Sequence, residues 1–126
     1  MDLQYSKKLE PAFRFMLERG ADINKGDNYG RTPLHLAAAV DYPEMVECLV
    51  QNGADMSRQT LEEGQTAMHY GAKNNSFQTL KVMLRMNGRI NERDYKRRTP
   101  LFVAAEAACS VSARFLIEQG MVTSKC

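Results

Sequence analysis

Two histidines and three cysteines are the side chains with which this 126-residue chain could most readily do acid–base, nucleophilic or metal chemistry. His35 lies in "GRTPLHLAA" and His69 in "GQTAMHYGA", each three residues after a threonine. A general base needs a nucleophile within hydrogen-bond reach, and a zinc site needs three or four converging ligands. Neither histidine has such partners close by in sequence. The two occupy equivalent positions of a repeated stretch, and its third copy, "TPLFVAAEA", carries Phe102 there, which neither binds metal nor transfers protons. The spacing therefore predicts a structural role for His35 and His69. Cys48, Cys109 and Cys126 form neither a disulfide framework nor a paired-ligand pattern, and neither Cys48 nor Cys109 has a candidate base in its unit, so they read as ordinary thiols. "NGAD" and "GDNYG" lack the spacing and the following lysine of a phosphate loop and read as turns. No catalytic residue, metal site or cofactor is expected, and the chain reads as non-enzymatic.

The overall composition narrows the class further. Seventeen lysines and arginines against 15 acids give a net charge of +2, too little for a global pull toward DNA or acidic membranes. No apolar run approaches the roughly 20 residues that cross a bilayer, and "MDLQYSKKLE" has no apolar core like that of a secretory signal. Cysteine usage favours a reducing cytosol or nucleus.

What positions the histidines is a repeat. Thr32, Thr66 and Thr99 are 34 and 33 residues apart, and Gly20, Gly53, Asn87 and Gly120 close apolar helical runs at spacings of 33, 34 and 33. Thr32 suits a helix N-cap and Pro33 its first turn, as do Thr99 and Pro100 in the third copy. Leu34, Ala37 and Ala38 give a narrow apolar face to a helix ending near Asp41. A second helix from Pro43 carries Met45, Val46, Leu49 and Val50 at helical spacing and stops at Gly53, which can take the left-handed conformation. Met45, Met68 and Met83 fall on core positions. Each unit thus reads as helix, turn, helix, turn, with "KGDNY" a projecting tip.

On "GADIN" followed by "GRTPLHLAA", the chain resembles an ankyrin-repeat array, whose units run about 33 residues with a Thr-Pro-Leu-His signature. The resemblance implies an all-α solenoid of stacked helix-turn-helix units with projecting β-hairpin or loop tips, in one domain over 1–126: a partial unit at 1–31, units at 32–65 and 66–98, and a truncated one at 99–126. It also implies that His35 and His69 brace the signature with Thr32, Thr66 and the loop backbone. Ala67 replaces the signature proline, Asn75 and Asn87 stand where glycine is usual, and Arg97 occupies the turn glycine, which puts the third turn's geometry in question. The second tip has one extra residue and should project differently.

Family resemblance places recognition at the variable positions of tips and first helices: Asn28, Tyr29, Arg31, Ala39 and Val40; Glu62, Glu63, Gln65, Lys73 and Asn74; Tyr95, Lys96, Arg98, Glu106 and Ala107. Tyr29 and Tyr95, at comparable tip positions beside arginine, have the composition of a hot spot; the competing reading is that they pack on neighbouring tips. A protein or peptide partner is implied. The alternatives are a structural or elastic spacer, and phosphate binding, in RNA or a phosphoinositide, through the basic tip at 93–98. Asn24 and Asn91 match the tip asparagine that is hydroxylated in some members of the family. The chain should be a monomer, or associate weakly end to end, because its terminal helices lack polar caps; a longer parent array, as in a scaffold, regulator or channel, is expected.

Overall fold

The computed structural model describes residues 20, 22–107 and 110–118; expectations for residues 1–19, Cys109, Gly120 and Cys126 lie outside them. Among the described residues six helices follow one another: α1 (Pro33–Ala39), α2 (Pro43–Gln51), α3 (Ala67–Lys73), α4 (Phe77–Arg85), α5 (Pro100–Glu106) and α6 (Ser110–Glu118). They alternate between seven and nine residues. The short helices α1, α3 and α5 stack into one layer, and the longer α2, α4 and α6 into a second behind it. Helices this short are marginal alone in water, so packing of their apolar faces holds them. Leu34, Val46, Leu49, Met68, Leu80, Met83, Leu101 and Leu116 form the spine of the core, and Ala37, Ala38, Ala72 and Ala104 let the layers approach. Met68 and Met83 are buried, and Met45 packs against the core from its edge.

Local chemistry sets each boundary. Thr32, Thr66 and Thr99 take extended φ/ψ, and their hydroxyls accept the backbone N–H of residues 35, 69 and 102. The first helix ends at Ala39, two residues before the Asp41 its pattern suggested, because Asp41 is left-handed, with φ +53°. Asn75 repeats that geometry with φ +57°. Asparagine and aspartate tolerate this region because a short polar side chain can bond locally. Here those bonds reach forward across the repeat boundary. The Asp41 Oδ1 accepts both the N–H and the hydroxyl of Thr79, at 3.0 and 2.9 Å, and the Asn75 Oδ1 accepts the N–H of Ser112 at 3.1 Å. Thr79 and Ser112 are the third residues of α4 and α6, and the N-cap Ser76 makes no side-chain capping bond to α4. The orphan donors at these helix starts are thus satisfied by the preceding unit.

Between α2 and α3, and between α4 and α5, the chain runs through projecting tips that are turns, without strand among the described residues. The Asp27 and Asp94 N–H groups donate to the carbonyls of Arg31 and Arg98, and those of Gly30 and Arg97 donate back to Asp27 and Asp94. Arg97, which the sequence suggested would disturb its turn, adopts φ +63°, beside +79° for Gly30 and +66° for Gly64. The third turn therefore keeps the geometry of the glycine turns. The extra residue of the second tip is absorbed within the turn: Thr60 bonds Gln65 across five residues where Asp27 and Asp94 bond across four.

Candidate functional site

Both signature histidines are buried and tied at both ring nitrogens. The His35 Nδ1 receives the Thr32 N–H at 3.1 Å and lies 2.9 Å from the Thr32 hydroxyl, while its Nε2 lies 2.7 Å from the Gln65 carbonyl. His69 repeats this with Thr66 at 3.2 and 2.9 Å and the Arg98 carbonyl at 2.7 Å. An amide N–H only donates and a carbonyl only accepts, so the network assigns the proton to Nε2 and leaves Nδ1 bare. Each neutral ring thereby joins its own helix cap to the next tip. Burial lowers both pKa values, and the carbonyl bonds do not offset it. Phe102 has no ring nitrogen to extend the chain of bonds, although Thr99 still caps α5. Among the described residues, no group of three histidines, cysteines or acids is placed to hold a metal.

The tips stack on one another. Leu61 and Tyr95 donate their N–H groups to the carbonyls of Tyr29 and Glu63 in the preceding tips, at 3.0 and 2.8 Å. Gly64 is pressed beneath the Tyr95 ring, where a Cβ would come within 2.3 Å of it, and Gly30 lies beneath Leu61 in the same way. Tyr29 and Tyr95, expected at comparable positions, are therefore one step out of register. Tyr29 corresponds to Lys96, each donating its N–H to the tip aspartate, while Tyr95 corresponds to Leu61. Tyr95 spends one face on its neighbour. Tyr29 instead lies against its own Arg31, whose guanidinium carbon is 4.9 Å from the ring centroid.

The residues expected at the recognition surface fall into two groups. Asn28, Tyr29, Glu62, Glu63, Tyr95 and Lys96 are exposed, Arg31 and Lys73 half-buried. Gln65 and Arg98 are instead built into the framework. Gln65 is only 2% exposed: its amide donates to Asp94 at 3.3 Å and accepts from Lys73 Nζ at 2.8 Å, so it bridges tip and helix. The Arg98 side chain is 14% exposed and meets Asp94 at 2.8 Å, Glu63 at 3.0 Å and Glu106 at 3.1 Å. Sequence alone placed both at surface positions because Asp94 and Lys73, which cover Gln65, and Glu63 and Glu106, which cover Arg98, come from other units. Burial acting alone would raise the pKa of Asp94, but the Arg98 N–H, the Gln65 amide and the Arg98 guanidinium outweigh it and hold the carboxyl below its ordinary value. At the basic tip at 93–98, Arg98 and Asp94 therefore cancel internally.

Asn24, expected as a modification site, joins adjacent units: its amide donates to the Gly53 carbonyl at 3.2 Å and accepts the Asp55 N–H at 2.7 Å. Asn91 is exposed.

Between the first two tips lies an open cleft of about 220 Å³, lined by Tyr29, Arg31, Thr60, Glu62, Glu63, Gln65, Tyr70 and Lys73. Tyr70 forms its floor, edge-on to His35 with ring centroids 5.0 Å apart. Lys73 lies over the Tyr70 ring at 4.2 Å, and partial burial lowers its pKa. Desolvation also raises that of Tyr70. Tyr70 was not among the expected recognition residues, because its position is apolar in the other copies, Leu36 and Val103. The cleft offers aromatic surface, one partly buried cation and flanking carboxylates.

Comparison with known proteins agrees with this geometry. A sequence model described as "Ankyrin repeats (3 copies)" matches residues 3–60 and 41–125. The chain is 34% identical over 104 residues to the B-cell lymphoma 3 protein homolog of Mus musculus, covering 79% of this chain and 23% of that protein. It is 40% identical over 58 residues to the RelA-associated inhibitor of Mus musculus, covering 46% and 7%, and 32% identical over 103 residues to alpha-latrotoxin-Lhe1a of Latrodectus hesperus, covering 79% and 7%. The chain thus spans less than a quarter of the length of each of these relatives. Ankyrin repeats are generally protein–protein interaction modules and generally non-catalytic. With three repeat copies matched along nearly its whole length, the chain belongs to the ankyrin-repeat family.

Proposed function

We propose that the face made by the tips and first helices binds a partner protein or peptide, with the cleft between the first two tips as its centre. The observation that carries this reading is the composition of that cleft. Tyr29 and Tyr70 present aromatic surface, Lys73 a partly desolvated ammonium and Glu62 an outward carboxylate on a rigid, hydrogen-bonded frame. Aromatic anchors held by a fixed scaffold give affinity at low entropic cost, and flanking charges select the partner. Tyr29, Glu62 and Lys73 are the principal contacts, with Asn28, Arg31 and Glu63 at the rim. Gln65 and Arg98 act as supports beneath them. The role is non-catalytic, and the compartment is the cytoplasm or nucleus, which the number and wide spacing of the cysteines favour. The name of the RelA-associated inhibitor describes a protein that works through a partner, which agrees with this reading.

The test is affinity capture from a eukaryotic lysate with the parent chain, a Tyr29→Ala/Lys73→Ala variant, and a Glu47→Ala/Gln78→Ala variant on the second-helix layer. Thermal melting verifies that each is folded. A protein retained by the parent and the second variant but lost by the first is the expected result. Equal retention by all three would contradict the reading and favour a spacer role.

A further inference from the structure

The three tips differ in what they turn outward. The first presents Asn28 and Tyr29, the second Glu62, and the third Tyr95, Lys96 and Arg97. The charges the third tip turns outward are basic, because its acid, Asp94, is turned inward with Arg98. Asp94 is 4% exposed and its carboxylate is taken by the Arg98 guanidinium, the Gln65 amide and the N–H groups of Lys96 and Arg98. The neighbouring Glu92 carboxylate accepts the Ser57 hydroxyl. Lys96 and Arg97 are exposed, and neither forms an ion pair with a described residue.

Arg97 also stands at a position where the turn demands a left-handed backbone, φ +63°, which the equivalent tips supply with glycine. A long side chain there is strained, and no ion pair with a described residue offsets that strain. An exposed, unpaired arginine kept in a conformation that glycine adopts freely points to use outside the fold.

We infer that the third tip recognises an acidic peptide segment, with Lys96 and Arg97 pairing its carboxylates beside the exposed edge of the Tyr95 ring. This rests on the reading of the tip face as a binding surface and adds the charge of the partner. Glu62 on the adjacent tip confines the anionic stretch to the third tip and favours a basic residue in the partner beyond it. A long polyphosphate backbone fits less well, since it would run on from the two cations toward Glu62 and Glu63.

The experiment uses the whole chain and a fluorescein-labelled hexaglutamate peptide, titrated by fluorescence anisotropy at low salt, with thermal melts alongside. Arg97→Gly should melt above the parent, because the turn is relieved, yet bind hexaglutamate two- to fivefold more weakly, the range expected for one exposed charge pair. Lys96→Ala should weaken binding similarly, and Arg85→Ala, which removes a distant exposed charge, should leave it unchanged. Unchanged binding on Arg97→Gly would overturn the inference, as would equal weakening by Arg85→Ala or tighter binding of a labelled twelve-residue oligouridylate. If hexaglutamate ignores Arg97→Gly while the Tyr29→Ala/Lys73→Ala variant still loses its captured protein, the wider reading survives and this one fails.

Discussion

A signature histidine here is useful because it is neutral. With Nδ1 facing the Thr66 N–H and Nε2–H facing the Arg98 carbonyl, a second proton on His69 would set two N–H groups against each other. Burial lowers both histidine pKa values below the ordinary 6.5, so the unfolded chain binds more protons than the folded one once the pH drops past about 6.5. Stability is complete above that pH and falls below it, toward the folded-state values. Urea denaturation between pH 8 and 5 should show this decline, and it should be shallower in a His69→Gln variant. Asp94, whose folded pKa lies below 3.8, adds a separate loss only in stronger acid. Replacing His69 by phenylalanine, as the third repeat does naturally, should cost about 2–4 kcal/mol, since it leaves the Thr66 N–H and the Arg98 carbonyl without their partner. A midpoint shift with an unchanged m-value would check it. A loss below about 0.5 kcal/mol would mean that the ring's hydrogen bonds are replaceable by water.

The seven-residue helices are capped by their own threonines, whereas α4 and α6 are capped by the preceding unit, which explains what the sequence could and could not reveal. The caps at Thr32, Thr66 and Thr99 were legible because cap and helix are contiguous. The forward caps from Asp41 and Asn75 were not, since each is 37 or 38 residues from the group it serves. The stacking of the units hid Gln65 and Arg98, which look like exposed tip residues until Asp94, Lys73 and Glu106 are brought to them. It also hid Tyr70, whose floor position in the cleft depends on His35 of the unit before. Asp41→Ala should cost about 2 kcal/mol, half from the lost cap and half from alanine's poor fit to a positive φ. Asp41→Asn, which keeps an acceptor and the turn, should cost less than about 1 kcal/mol. At Gly71 of α3 an added Cβ would meet the Leu80 Cδ2 at 3.1 Å and the Met83 Cε at 3.6 Å, both flexible side-chain ends. The equivalent residues Ala37 and Ala104 already carry that methyl. Gly71→Ala should therefore stabilise the chain by about 0.5–1 kcal/mol through helix propensity, and a lowered melting temperature would show that the Leu80 contact cannot relax.

Across the whole molecule, Asn24, Asp41 and Asn75 bond each repeat to the next, and His35 and His69 tie the first helix of a unit to the tip at its end. Each repeat packs on its neighbours, and the outward groups differ from tip to tip, the arrangement expected of a solenoid that serves as a recognition surface. The framework residues and the surface residues are thereby separable: Tyr29, Glu62 and Lys96 can change without breaking the bonds beneath them. The measurement that tests this most directly is amide hydrogen exchange on the chain with and without its captured partner. The account predicts slowed exchange at residues 28–31, 61–65 and 94–98 and along α1, α3 and α5, with α2, α4 and α6 unchanged. Protection confined to α2, α4 and α6 would contradict it and move the binding surface to the opposite layer.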